Sequence, residues 1–433
     1  MADAAAFLLA LWSGAGHVAA PLVPAYLARR RRAGKEDPLR LAEKLGRPGL
    51  ARPDGPLVWI HAASVGETVS TLALVDRLRD RGAALLLTTG TVTAAAVAGE
   101  RLAGRALHQY APLDAAPFVR RFLDHWRPDL VLNVESELWP ATVAALHRRR
   151  VPLVVVNGRL SPRSARGWAR LPAAARAVFS RLTVVLAQTP ADAERFRAAG
   201  AGDVRVLGNL KFDAVAPAAD AAELARVAGV VAGRPLWLAA STTAPEEAAA
   251  AHVHRRLAGD HPGLLTVIVP RHPARGAELV AELTAAGLVV ARRSTGALPG
   301  PDTDVYLADT LGELGLFYRL APIAFVGGSL NDRGGQNPIE ASLLDTAVLH
   351  GPRVPNVAAV YADLDAAGAS RVVADADDLA AAVGRLIADP AAVAAMAEAG
   401  RAEVTAGAGA LDRTLAALRP LWPAPTAWSR DGG

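Results

Sequence analysis

Six short clusters hold the side chains of this chain that are equipped for chemistry, and each follows an apolar run. Trp59-Ile-His61-Ala-Ala-Ser64-Val-Gly66-Glu67 passes from a strand pattern through a polar turn into a helix pattern. Ser64 and Gly66 suit a turn that presents backbone N–H groups at a helix start, which is an anion site. Glu67, three residues after Ser64, fits equally well as a capping carboxylate. His61, near a strand end, reads either as a structural polar group or as a catalyst. Ser64 lacks the G-x-S-x-G frame of an elbow nucleophile. In Asn133-Val-Glu135-Ser-Glu137-Leu-Trp139-Pro140 two carboxylates stand two residues apart at a strand end. That placement is costly unless they are solvated or paired, so sugar hydroxyls or an arginine are the expected partners, and no His or third carboxylate stands at a spacing that supports a metal. Arg159, in Asn157-Gly-Arg159-Leu-Ser161-Pro-Arg163, ends the next strand and is the expected counter-charge.

The third cluster is Gly208-Asn209-Leu-Lys211-Phe-Asp213. The only lysines are Lys35, Lys44 and Lys211, so an ammonium at a strand end suggests a point charge for phosphate or carboxylate. Ser241-Thr242-Thr243-Ala-Pro-Glu246-Glu247 joins a strand to an acidic helix start, suited to phosphate contacts or to simple capping. Val269-Pro270-Arg271-His272-Pro273 holds an arginine between two prolines, placed for a fixed anion contact. The sixth cluster is Phe325-Val-Gly327-Gly328-Ser329-Leu-Asn-Asp-Arg-Gly334-Gly335-Gln-Asn337-Pro-Ile-Glu340. Gly327 and Gly328 are expected to let backbone approach a ligand, and Gly334 and Gly335 to allow a second tight turn. Asn337-Pro338 then starts a helix whose N–H groups would face a phosphate, with Glu340 placed to accept ribose hydroxyls. The spacing is not G-x-G-x-x-G and does not follow the first strand, so a dinucleotide site is disfavoured. Asp302-Thr-Asp304 matches a metal-binding D-x-D only formally and reads as a loop after Pro299 and Pro301. No metal-ligand set and no cofactor motif emerges.

These clusters need elements to hold them. Continuous apolar runs at Leu57–Ala63, Leu85–Thr89, Leu130–Val134, Leu153–Asn157, Val184–Ala187 and Val204–Leu207 alternate with Ala/Arg/Leu segments that read as helices. The pattern restarts at Leu236–Ala240, Leu264–Val269, Leu288–Ala291, Val305–Leu307, Ile323–Val326 and Ala347–Leu349. Such strands form parallel sheets covered on both faces. The fold class is therefore α/β: two Rossmann-like, doubly wound domains facing a cleft, with ligands beyond the carboxyl ends of the strands. The expected division is an apolar segment at 1–32, a first domain at 33–213, a linker at 214–222, a second domain at 223–389, and a C-terminal helix and tail at 390–433 that packs back on the first domain.

With 433 residues, 52% of them hydrophobic, the chain exceeds one typical domain. It has no cysteine, which excludes disulfides and thiolate metal sites. The net charge of +5 suits an anionic substrate or membrane surface. Aromatics at 5%, without interleaved basic residues, argue against a nucleic-acid partner. Ala4 to Ala28 carries no charge if His17 is neutral, and Arg29–Arg32 would keep the downstream chain on the cytoplasmic side. Ser13, Gly14, Gly16, His17, Pro21 and Pro24 make it a poor span, so an interfacial or docked helix is the alternative. The charges come after the apolar run, unlike those of a cleavable signal.

Taken in order, H-x-x-S-V-G-E, E-S-E-L-W-P, N-G-R-L-S-x-R-S, G-N-L-K-F-D, V-P-R-H-P and F-V-G-G-S-L…G-G-Q-N-P-I-E-A resemble the Kdo (3-deoxy-D-manno-octulosonic acid) transferases, from the N-terminus to Leu349. The resemblance implies a GT-B fold and transfer of Kdo from CMP-Kdo to a lipid A precursor (lipid IVA), with inversion, at the cytoplasmic face of the inner membrane. It implies that Glu43, in Leu41-Ala-Glu43-Lys-Leu-Gly46, is the general base, with Glu36 as local rival. From its residues alone Glu43 looks like an ordinary helix-face glutamate. Lys211, Ser241, Thr242, Pro270, Arg271, Gly327, Gly328, Ser329, Asn337 and Glu340 would bind the donor. His61, Ser64, Gly66, Glu67, Glu135, Glu137 and Arg159 would line the acceptor side. Thr243 stands where relatives commonly carry His, and Ala94 and Ala95 replace the usual Gly/Ser. The rival readings are a UDP-sugar transferase, a nucleotide-sugar epimerase, or a sugar-nucleotide binder without transfer activity.

Overall fold

The computed structural model describes residue 16 and residues 20–102, 104–213 and 216–423. Most of the apolar N-terminal segment, including Phe7–Trp12 and His17, lies outside the described residues, as does the tail beyond Pro423. Val23–Arg32 is a helix ending in its four arginines, where cations complement the carbonyl end of the helix. Among the described residues no single helix is long and apolar enough to cross a membrane.

The described residues up to Asp213, with those from Ala408 onward, form one compact unit, and the residues between form a second. The first contains β1 (Leu57–His61), β2 (Ala84–Thr89), β3 (Leu107–Tyr110), β4 (Leu130–Val134), β5 (Leu153–Gly158), β6 (Val184–Ala187) and β7 (Val204–Val206). They make a 7-stranded parallel sheet in the order β3-β2-β1-β4-β5-β6-β7. The second contains β8 (Leu236–Thr242), β9 (Leu265–Pro270), β10 (Val290–Arg292), β11 (Val305–Leu307), β12 (Ile323–Val326), β13 (Ala347–His350) and β14 (Ser370–Val372). Their order is β10-β11-β9-β8-β12-β13-β14, again all parallel. In each sheet the order reverses beside the first strand, between β1 and β4 and between β8 and β12. At those points neighbouring loops diverge and leave a crevice at the strand ends.

The central strands are buried on both faces, so each sheet sits between two apolar layers. Each fully buried Val, Leu or Ile there contributes about 1.5–3 kcal/mol. Two short edge strands escape the sequence pattern. In β3 the polar His108 and Gln109 interrupt the apolar run, and in β14 Arg371 and Val372 face solvent.

The C-terminal end differs from expectation. The helix expected from Pro390 to Leu418 is two helices, Pro390–Gly407 and Ala410–Leu418. Gly409 separates them with φ 83, a conformation that side chains resist. The first belongs to the second unit, where Val393 joins the core, so that unit runs past 389. Only the second helix packs on the first unit, placing Leu411, Leu415 and Leu418 with Leu74, Val75 and Leu78. Asp213 accepts the N–H groups of Gly409 (2.6 Å) and Leu411 (2.7 Å). It thereby ties together the two points where the chain leaves and re-enters this unit.

Candidate functional site

In the first unit the reversal point gathers an acid cluster. Ser64 caps the helix Val65–Leu78 by accepting the Glu67 N–H. Glu67 turns back, its Oε2 accepting the Ala63 N–H at 2.8 Å and its Oε1 the Ser64 hydroxyl at 2.8 Å. Glu135 follows β4 in the left-handed region (φ 56) and donates its N–H to the Val156 carbonyl. Burial, then repulsion from Glu135, pushes the Glu67 carboxyl up to about 7, against the two hydrogen bonds it accepts. Glu137 is raised as well, first by burial and then by Glu135. His61 is pushed down to about 4 by burial and shares a 3.0 Å contact with the Thr88 hydroxyl, so it is neutral at pH 7. A small pocket of about 180 Å³ is lined here by Lys44, His61, Asn133, Glu137 and Trp139.

The two expected cations part company here. Lys211 lies in the first unit, its Nζ 3.7 Å from Glu135 Oε1. Gly208 (φ 93) turns the chain after β7, and the Leu210 N–H is fixed by Asn157 Oδ1, which delivers Lys211 to the acids. Arg159 is half-exposed and forms no ion pair with Glu135 or Glu137; Lys211 occupies that role. Gly66 lies in the first turn of the capped helix, half-buried.

Glu43 sits in the short helix Leu41–Lys44, 8% exposed. Arg40 grips it with a fork, Nε to Oε1 at 2.8 Å and Nη2 to Oε2 at 2.9 Å. The Tyr110 N–H adds a bond to Oε2 at 2.7 Å. A carboxylate has about four lone-pair sites, so one is left, on Oε1. Gly49 leaves room there: a methyl group on it would reach only to 4.0 Å from Oε1. Glu36 is paired with Arg30 (2.5 Å) and Lys44 (2.6 Å). Lys44 also donates to the Gly90 carbonyl and stands over the Tyr110 ring. Sequence reasoning misses Arg40 and Lys44 as site residues. The available signal is the i−3 spacing of Arg40 from Glu43, which puts the two on one face of the turn; Lys44 at i+1 turns away to Glu36.

In the second unit one carboxylate organises the reversal point. Glu246, 1% exposed, lies in the first turn of the helix Ala244–Leu257. Its Oε2 accepts N–H groups from Gly328 (2.8 Å) and Thr243 (3.1 Å), and its Oε1 those of Ser329 (2.9 Å) and Leu330 (3.1 Å). The backbone of the Gly327-Gly328 turn, expected to approach a ligand closely, thus spends its N–H groups on the protein's own acid. Gly327 is small for an internal reason as well. A Cβ on it would fall 2.7 Å from the Ser241 carbonyl oxygen and 3.0 Å from Glu246 Oε2. Ser329 is fully buried, donating to the Val326 carbonyl and accepting the Gly351 N–H, so it bridges the ends of β12 and β13. Thr242 is fully buried with its hydroxyl unpartnered, and Ser241 stands in the left-handed region (φ 54). The loop closes where Gly335 and Gln336 donate back to the carbonyls of Gly328 and Gly327.

What is open here lies beside that clamp. Arg271, exposed after Pro270, has its N–H anchored on the Thr242 carbonyl. Asn337 caps the Ile339 N–H at the short helix Ile339–Ser342, which also carries Glu340. Thr243 holds Asn331 (2.7 Å) at the edge of a polar pocket of about 340 Å³ with Asp332 and Arg333. Asp304 is a structural loop residue held by His254 and the Val289 N–H. Glu246 is visible in the sequence only as a capping candidate. Its reach to β12 depends on strand order, which no local spacing encodes.

A family model described as 3-deoxy-D-manno-octulosonic-acid transferase matches residues 39–214. A 3-deoxy-D-manno-octulosonic acid transferase of Bordetella pertussis is 42% identical over 418 residues, covering 92% of this chain and 96% of its own. This chain belongs to the Kdo transferase family. The Kdo transferase of Haemophilus influenzae is 33% identical, covering 88% of this chain and 91% of its own. A solved glycosyltransferase from Rickettsia africae, 12% identical, overlays with a TM-score of 0.52 and covers 85% of this chain and 99% of its own. The paired parallel sheets are those of the GT-B glycosyltransferases, and this Kdo transferase family member is a glycosyltransferase.

Glu246→Ala strands the N–H groups of Gly328, Ser329 and Leu330 in the interior. At about 1 kcal/mol or more each, the second unit should lose about 3 kcal/mol, read as a thermal midpoint roughly 6–12 °C lower. Glu67 gives a pH signature. Between its ordinary 4.5 and the folded value of about 7, the folded chain keeps a proton that the unfolded chain releases. Its contribution is present below about 4.5 and is lost as pH rises through 7, a loss of about 3 kcal/mol. Urea unfolding at pH 5 and pH 8 should show that slope in the wild type and a flatter one in Glu67→Gln.

Proposed function

We propose that this chain transfers Kdo from CMP-Kdo to a lipid A precursor, lipid IVA, in lipopolysaccharide assembly. Transfer inverts the anomeric carbon and takes place at the cytoplasmic face of the inner membrane. The observation that carries this is the 42% identity to a Kdo transferase along nearly the whole length of both chains. The acceptor hydroxyl attacks the anomeric carbon of Kdo as CMP departs as a monophosphate anion. Glu43 takes the hydroxyl proton on Oε1, the oxygen with a free lone-pair site, while the Arg40 fork and the Tyr110 N–H hold the carboxylate still. In the second unit Arg271 offers its exposed guanidinium to the departing phosphate, and Asn337 and Glu340 take the ribose. Glu246 binds no ligand; it fixes the loop that carries these groups. In the first unit Glu135, Glu137, Lys211 and neutral His61 receive the acceptor sugar. Glu67 is the second candidate for the base, favoured by a carboxyl held near neutrality.

Incubating the chain with CMP-Kdo and lipid IVA should raise the acceptor mass by whole Kdo residues. Transfer from UDP-GlcNAc instead, or none at all, would contradict the assignment. Glu43→Gln should lower kcat by about 10²–10⁴-fold with KM little changed. If Glu43→Gln keeps wild-type turnover while Glu67→Gln loses it, Glu67 is the base.

A further inference from the structure

The edge strand β3 breaks the apolar pattern with His108, and that imidazole reaches beyond the sheet. Side chains two apart on a strand share a face, so His108 and Tyr110 stand together. Their rings meet edge to face, with centroids 6.2 Å apart. Tyr110 gives its N–H to Glu43 Oε2, and its ring lies under the Arg40 guanidinium, 4.9 Å from the centroid. His108 takes N–H groups that the fork to Glu43 leaves over. Its carbonyl accepts from Arg40 Nη2 at 3.0 Å, and its Nδ1 stands 3.3 Å from Arg40 Nη1. A guanidinium has donors only, so Nδ1 is the acceptor and the ring proton belongs on Nε2. There it donates to the Thr89 hydroxyl at 3.1 Å, on the neighbouring strand β2. Burial, and then the charge of Arg40, pushes the imidazole down to about 4, so the ring is neutral at pH 7.

The fork needs this support. The Arg40 side chain is 30% exposed, and a partly exposed pair holds its own geometry weakly, because ordering two side chains offsets their attraction. The helix that carries Glu43 is a single turn of 4 residues, with Arg40 as its cap. An acceptor fixed in the sheet sets the guanidinium plane, and that plane sets which oxygen of Glu43 stays open. Resting on Glu43 as the base proposed above, we propose that His108 is a positioning residue for the transfer: its ring, oriented by Thr89, holds Arg40 so that the fork keeps Glu43 Oε1 open to the acceptor hydroxyl. His108 touches no substrate and exchanges no proton with one. Its effect falls on the chemical step through the placement of the base and leaves substrate affinity alone.

The two ring nitrogens separate this role from a purely structural one. His108→Asn places an amide oxygen near the position of Nδ1. His108→Gln carries its amide out to the position of Nε2 and leaves a methylene facing Arg40. Transfer from CMP-Kdo to lipid IVA is measured for each, alone and combined with Glu43→Gln. His108→Gln should lower kcat by about 10-fold, with both KM values within about twofold of wild type. His108→Asn should recover kcat to within about threefold of wild type. In the Glu43→Gln background His108→Gln should cost nothing further, because no base is left to aim. Arg40→Lys is the independent arm, since an ammonium cannot form the fork. It should lose at least as much kcat as His108→Gln, and the two changes together should lose no more than Arg40→Lys alone. Equal losses in the Asn and Gln variants, a full loss in the Glu43→Gln background, additive losses with Arg40→Lys, or wild-type kcat in His108→Gln would each overturn the proposal while Glu43 stood as the base. Wild-type turnover in Glu43→Gln would instead overturn the base assignment, and this role for His108 with it.

Discussion

One arrangement is repeated in both units and the rest of each site hangs from it: a buried carboxylate in the first turn of the helix that follows the first strand. Parallel sheets leave unpaired N–H groups where neighbouring loops part at the reversal point, and buried N–H groups must find acceptors. Ser64-x-x-Glu67 follows β1 and Thr243-x-x-Glu246 follows β8, with the same spacing. What differs is the neighbouring strand. After β12 the chain presents the N–H groups of Gly328, Ser329 and Leu330, and Glu246 is fully engaged. After β4 it presents Glu135 and Glu137, so Glu67, raised first by burial, also meets like charge and its carboxyl rises to about 7. The same frame yields a rigid loop in one unit and a strained acid cluster in the other.

That contrast assigns work to each unit. The second is built to hold something still: Glu246 fixes the loop, Ser329 fixes the loop to β13, and Arg271 is anchored through its backbone while its charge stays exposed. The first is built to hold charge in tension. Lys211 partly offsets Glu135, Lys44 offsets Glu36, and Arg40 engages Glu43 with a fork. Carboxylates so arranged accept hydroxyl hydrogens readily, which suits a sugar acceptor in the reaction proposed for this Kdo transferase.

Much of the frame is legible in the sequence because it is local. Apolar β-branched runs such as Leu130–Val134 and Ile323–Val326 mark strands buried on both faces, and the restart near Leu236 marks a second sheet. β3 and β14 are not legible, since polar or exposed residues at a sheet edge lack that signal. The break at Gly409, which divides the C-terminal helices between the units, hides in an Ala/Gly-rich run. In the sites, the clusters are visible but their partners are not. Gly327 and Ser329 look like ligand contacts when read alone, and the strand order turns them inward against Ser241 and Gly351. Lys211 reads as an anion contact, and the turn at Gly208 that sets it beside Glu135 is not visible in its spacing. Residue type announces that a position is special; only topology says for what.

The most direct test of this account is the titration of Glu67 in the folded chain. Side-chain ¹³C carboxyl NMR, with the resonance assigned by difference against Glu67→Gln, reads that proton alone. A midpoint near pH 7, falling when Glu135 is replaced by Gln, is the predicted result. A midpoint near the ordinary 4.5, indifferent to Glu135, would contradict the charge cluster on which the reading of the first unit depends.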